Sequence, residues 1–109
     1  METFHIKRND TGPRLSVRVM TDGGDTVDLT DAVNPEFHMW SKRLRTSVVD
    51  TAAEVTDGPG GVLTYDWDAA DTASAGIFEG EFKVELATGE VITAPNDGHI
   101  PIVITEDIS

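Results

Sequence analysis

The stretch from Gly61 to Ile104 admits little besides β-structure. Phe78, Phe82, Val84 and Leu86 are apolar, while Glu79, Glu81, Lys83 and Glu85 stand among them. A period of two belongs to a strand with one face buried and one in water; a helix would space its apolar residues three and four apart. The stretch opens with Gly61-Val62-Leu63-Thr64-Tyr65-Asp66-Trp67 and pauses at Asp71-Thr72-Ala73-Ser74-Ala75. It breaks again at Gly89 and closes with Pro95-Asn96-Asp97-Gly98-His99-Ile100-Pro101-Ile102-Val103-Ile104. It reads as strand, turn, strand, turn, strand.

The rest of the chain extends that pattern. Leu15, Val17 and Val19 alternate with Ser16, Arg18 and Met20, and Val27 and Leu29 are again two apart. Phe37 and Met39 form one face of a further strand, with His38 and Trp40 on the other. Strands are predicted near 3–8, 14–20, 26–29, 36–41, 47–56, 61–67, 76–86, 90–94 and 98–105. Asp22-Gly23-Gly24-Asp25 has the chemistry of a hairpin turn, and Asp57-Gly58-Pro59-Gly60-Gly61 that of a sharp loop. Pro101 falls inside the last predicted strand, which should therefore run along an edge or break there. The one helix-tolerant stretch, 68–75, is expected to form a short helical turn with Asp71 as its cap. Tyr65 and Trp67 share a face with Leu63 and are assigned to the core.

Short strands at regular spacing in 109 residues predict a single all-β domain over 1–109, an antiparallel β-sandwich. There is no Cys, so packing and hydrogen bonds must supply all the stability. The opening Met1-Glu2-Thr3-Phe4-His5-Ile6-Lys7-Arg8 lacks the apolar core of a signal peptide, and no 18-residue apolar run follows. A soluble protein made in a cytoplasm, without membrane contact, is the expectation.

Charge is unevenly placed. Residues 1–45 hold 7 basic and 7 acidic side chains, whereas residues 46–109 hold only Lys83 against 13 acids. The formal net charge of −12 thus arises in the second part of the chain and disfavours nucleic-acid phosphates. An acidic face of this kind is suited to a basic partner. Lys42, Arg43 and Arg45 form the one basic cluster and, with Trp40, are the candidate partner-contact residues.

Catalytic equipment is missing. Asp66, Asp68 and Asp71 fail the Ca²⁺-loop spacing, because the third acid is displaced and no Gly follows. His5, His38 and His99 lie far apart, without the helical spacing of zinc hydrolases. No Gly-x-Ser-x-Gly elbow occurs, and the Gly-rich segments lack the Lys-Ser/Thr of a phosphate loop. The expectation is a non-enzymatic protein without metal or cofactor. Gly76-x-Phe78-x-Gly80 resembles the corner of immunoglobulin domains, with Phe for its Tyr and Gly for its Cys, so that the corner hydrogen bond and the disulfide are both absent.

Taken together, these segments resemble the immunoglobulin-like domain at the N-terminus of phage baseplate upper proteins and in small stand-alone phage proteins. The resemblance runs through Phe4-His5-Ile6-Lys7-Arg8-Asn9-Asp10-Thr11-Gly12-Pro13, Asp25-Thr26-Val27-Asp28-Leu29-Thr30-Asp31-Ala32 and Phe37-His38-Met39. It continues through Gly61 to Trp67, Asp71-Thr72, Gly76 to Phe82 and Pro95 to Ile100. It implies an immunoglobulin-like sandwich in the virion of a tailed phage, bound to other capsid, neck or tail/baseplate proteins, with a homo-oligomer among the arrangements. The alternative is a module that binds carbohydrate or a host surface through Trp40.

Overall fold

Alternating segments become strands that pair into two sheets. In the computed structural model, which describes residues 2–21, 23–95 and 98–106, the strands are β1 (Phe4–Lys7), β2 (Leu15–Arg18), β3 (Val33–Ser41), β4 (Ser47–Ala52), β5 (Glu54–Asp57), β6 (Val62–Tyr65), β7 (Gly76–Glu85), β8 (Val91–Ala94) and β9 (Ile100–Thr105). The larger sheet has the order β1-β9-β7-β3-β4, and β8 also pairs with β7. The smaller sheet is β2-β6-β5. β7 spans 10 residues, and two strands share one of its sides. Gly76–Gly80 pairs with β9, and Phe82–Glu85 pairs with β8. On its other side β7 carries β3.

The architecture is the immunoglobulin-like β-sandwich expected from the sequence, with one difference in pairing. β1 joins β9 in parallel, Phe4 opposite Ile102 and Lys7 opposite Thr105. A parallel pair needs a long connection, and here the first and last strands are linked by the whole of the intervening domain.

The core follows from the period of two. Phe37, Met39, Leu63, Phe82 and Ile102 are fully buried. The Phe37 ring lies at centroid distances of 4.6 Å from Tyr65, 5.0 Å from Phe82 and 5.7 Å from Trp67. Phe37 belongs to the larger sheet and Tyr65 to the smaller, so this cluster ties the sheets together. Gly80 lies where the core leaves no room for a side chain. A Cβ there would come within 2.9 Å of Ile102 Cδ1 and 3.0 Å of Phe37 Cε1, so the Gly at the corner position makes room for the Phe37 ring.

Four expectations need correction. No ladder forms over 26–29; Met20 and Thr26 make only an isolated bridge. The Val27 N–H bonds Val19 O, and the Leu29 N–H bonds Gly58 O, so the segment divides its hydrogen bonds between two neighbours. The strand expected over 47–56 is two strands, since at Ala53 the chain leaves β4 in the larger sheet and enters β5 in the smaller. Pro101 neither breaks β9 nor places it at an edge, because β9 lies between β1 and β7. β1 pairs with β9 only from Ile102 onward, so the missing proline N–H interrupts no ladder on that side. Finally, Asp68 rather than Asp71 is the N-cap of the short 3₁₀ turn Ala69–Thr72. Asp68 Oδ1 accepts from the Ala70 N–H at 3.0 Å, and Asp71 Oδ2 reaches back to the Asp68 N–H at 2.9 Å. Those reciprocal bonds form a capping box.

Asp22 of the first turn, Asn96 and Asp97 of the last, and the terminal Asp107 lie outside the described residues.

Candidate functional site

The expected partner-contact residues occupy the end of the β3–β4 hairpin. Its turn closes through the Ser41 N–H on Thr46 O at 2.9 Å and the Arg45 N–H on Ser41 O at 2.7 Å. Ser41 Oγ accepts from the Leu44 N–H at 3.1 Å, which satisfies a donor at the tip. Arg45 completes the turn with φ 56°, a left-handed conformation uncommon outside Gly, Asn and Asp.

The hairpin divides the four residues between two sides. Trp40, Lys42 and Arg45 join Glu79 of β7 around an open hollow. Trp40 is half-buried, and the imidazole of His99 meets its ring edge-on at 4.8 Å between centroids. Arg43 lies on the other side, in a groove of about 440 Å³ that it lines with Leu44, Val48, Ile77 and Phe78. Leu44 is 68% exposed, Ile77 58% and Val48 41%. Three apolar side chains this open in one place are uncommon on a surface of charged residues. Among the described residues, Lys42, Arg43 and Arg45 make no ion pair. By contrast, Arg14 is held by Asp66 and Glu54, and Arg8 by Glu106.

The three Asp residues of the failed Ca²⁺ motif are engaged separately. Asp66 pairs with Arg14, Asp68 caps the 3₁₀ turn, and Asp71 accepts the hydroxyl proton of Tyr65. The Tyr65 phenol is pushed well above its ordinary value, first by burial and then by that bond to a carboxylate.

A second grouping lies on the outer face of the larger sheet, and sequence reasoning missed it. Glu36 and His38, two apart on β3, point the same way. Register places Asp50 of β4 opposite His38 on one side and Glu81 of β7 opposite it on the other. His38 Nε2 is 3.0 Å from Glu36 Oε1 and 3.2 Å from Asp50 Oδ1, and Nδ1 is 4.0 Å from Glu81 Oε1. One imidazole thus faces three carboxylates. The sole signal in the sequence was the Glu36-x-His38 spacing, since the other two acids are brought in by strand register.

No family model and no curated protein matches the chain. Among solved structures it is similar to CopC from Methylosinus trichosporium OB3b, at a TM-score of 0.58 and 15% identity, over 98% of this chain and 87% of that one. At that identity the likeness establishes the fold class, an immunoglobulin-like β-sandwich.

Proposed function

We propose that the protein is a non-enzymatic structural module of a tailed-phage virion, docking on other virion proteins through the end of the β3–β4 hairpin. The observation that carries the docking is the coincidence of three cations, Lys42, Arg43 and Arg45, that make no ion pair among the described residues, with the exposed Leu44, Val48 and Ile77. Apolar area supplies affinity, while charge supplies orientation and on-rate. The complementary surface is acidic with an apolar centre, and the chain's own acid-rich part offers such charge to another copy. The virion setting rests on the resemblance to the baseplate-associated immunoglobulin-like domains. Mass spectrometry of purified particles tests it. The protein should be present at fixed stoichiometry, and the triple change Lys42→Ala, Arg43→Ala, Arg45→Ala should lower its incorporation. Absence from particles overturns the reading.

Trp40 favours a second reading, a carbohydrate- or host-surface-binding module. A half-exposed indole beside Lys42, Arg45 and Glu79 combines a stacking surface with hydrogen-bonding groups. Binding of glycans or cells that Trp40→Ala leaves intact removes this alternative.

A further inference from the structure

We propose that Glu36, His38 and Asp50 form a binding site for a divalent first-row transition-metal ion, with Zn²⁺ the ion best suited to it. The site lies on the outer sheet face and is independent of the docking surface at the hairpin end.

Geometry comes first. Glu36, His38 and Asp50 each offer one ligand atom, and the three atoms lie within 4.8 Å of one another. Zinc–nitrogen and zinc–oxygen bonds near 2.1 Å leave roughly 3.0–3.4 Å between neighbouring ligands, from octahedral to tetrahedral coordination. The two contacts of Nε2, at 3.0 and 3.2 Å, fall within that range. The side chains need only small rotations to face a common ion.

Chemistry comes second. Two carboxylate oxygens converge on a single imidazole nitrogen, which has one N–H or one lone pair to offer. A hydrogen bond satisfies one oxygen well; a cation in the midst satisfies all three donors. Glu81 on the Nδ1 side strengthens the case. At 4.0 Å it is beyond a direct hydrogen bond, but once an ion takes the Nε2 lone pair the ring proton resides on Nδ1 and faces this carboxylate, the outer-shell partner usual for a metal-ligating His. One imidazole with two carboxylates is borderline between hard and soft, which selects first-row divalent ions over Mg²⁺ and Ca²⁺.

Rigidity comes third. His38 and Asp50 are direct cross-strand partners on β3 and β4, and β3 is paired on both sides, with β4 and β7. The backbone positions of the ligands are fixed before any ion arrives, so little ordering entropy opposes binding. Three protein ligands on an open face leave the remaining coordination positions to water.

The test uses the untagged full chain after chelator treatment, titrated calorimetrically with Zn²⁺ at about 0.3 M NaCl to screen diffuse attraction to the acidic surface. Saturable binding of one Zn²⁺ per chain is expected, with a rise in melting temperature that EDTA reverses and that equal Mg²⁺ does not produce. His38→Gln and Asp50→Asn should each abolish the saturable phase, and Glu81→Gln should weaken it by about 10–100-fold. His99→Gln should leave it unchanged. Circular dichroism of each variant establishes that it is folded, and Asp50 is exposed enough to be replaced without loss of the core. Absence of a saturable phase, or one that survives both His38→Gln and Asp50→Asn, overturns the proposal.

Discussion

The two faces of β3 make opposite use of the same backbone. On the inner face Phe37 and Met39 are fully buried, and their neighbours are rings and branched aliphatics. On the outer face Glu36, His38 and Trp40 remain partly in water and have carboxylates and imidazoles for company. Burial on the inside is non-directional and scales with apolar area, so the fold depends on it heavily. The outside contacts are screened and exchangeable with water, so they are free to serve binding. The contrast predicts large stability effects on one face and small ones on the other.

Phe37→Ala should break the inner face outright. The ring contacts Tyr65, Trp67 and Phe82 across both sheets. Its removal should cost about 3–5 kcal/mol, a large share of the stability of a domain this size. Urea unfolding measures it, and a loss below about 1.5 kcal/mol would mean that Phe37 is not the keystone of the core. Gly80→Ala attacks the same place from the opposite side. The new methyl would press on Ile102 Cδ1 and the Phe37 ring, and overpacking of that kind costs about 1–3 kcal/mol. A neutral or stabilised variant would show that the ring has room to shift.

How far these features could be read from the sequence depends on whether they are set by local period or by partner choice. Faces were legible. Phe37, Phe82, Tyr65 and Trp67 went to the core because they fall on the apolar side of an alternating pattern. Partners were not. Val49, Ala53 and Val55 keep one parity on the inward side, with Thr51 alone exposed between them, and that shared parity concealed the passage from one sheet to the other at Ala53. Pro101 misled for the same reason, since a missing N–H matters only where a neighbouring strand needs it, and β1 begins its pairing one residue later. The hairpin cluster 42–45 was visible because its three charges fall within four residues of sequence. The His38 grouping was not, because Asp50 and Glu81 reach it through register on two different strands.

Tyr65 sharpens the comparison, being an inner-face residue with a polar end. Its hydroxyl donates to Asp71, which also holds the Asp68 N–H. Tyr65→Phe should cost about 1.5 kcal/mol at neutral pH, as for a hydrogen bond to a charged group. The pH dependence has a definite sign. The native phenol keeps its proton to higher pH than a free one, so the unfolded chain loses its proton first, near pH 10. Stability from this bond is therefore complete below about pH 10 and declines above it. The penalty of Tyr65→Phe should shrink in step. Tyr65 is the sole Tyr in the chain, so phenolate absorbance reports it directly. Native protein that ionises near pH 10 would remove the effect.

The smallest effect should come from the outer face. In metal-free protein His38→Gln removes contacts to Glu36, Asp50 and Glu81, all at least partly exposed to water, and exposed ion pairs contribute about 0–1 kcal/mol. The change in unfolding free energy should stay within that range and diminish further as salt is raised. One imidazole among three carboxylates can also relieve their mutual repulsion, so a small loss at low salt is the expected direction. A loss above about 2 kcal/mol that persists at 1 M salt would break the contrast between the faces. It would make His38 a structural pin joining β4 and β7 to β3, rather than a group left free to bind.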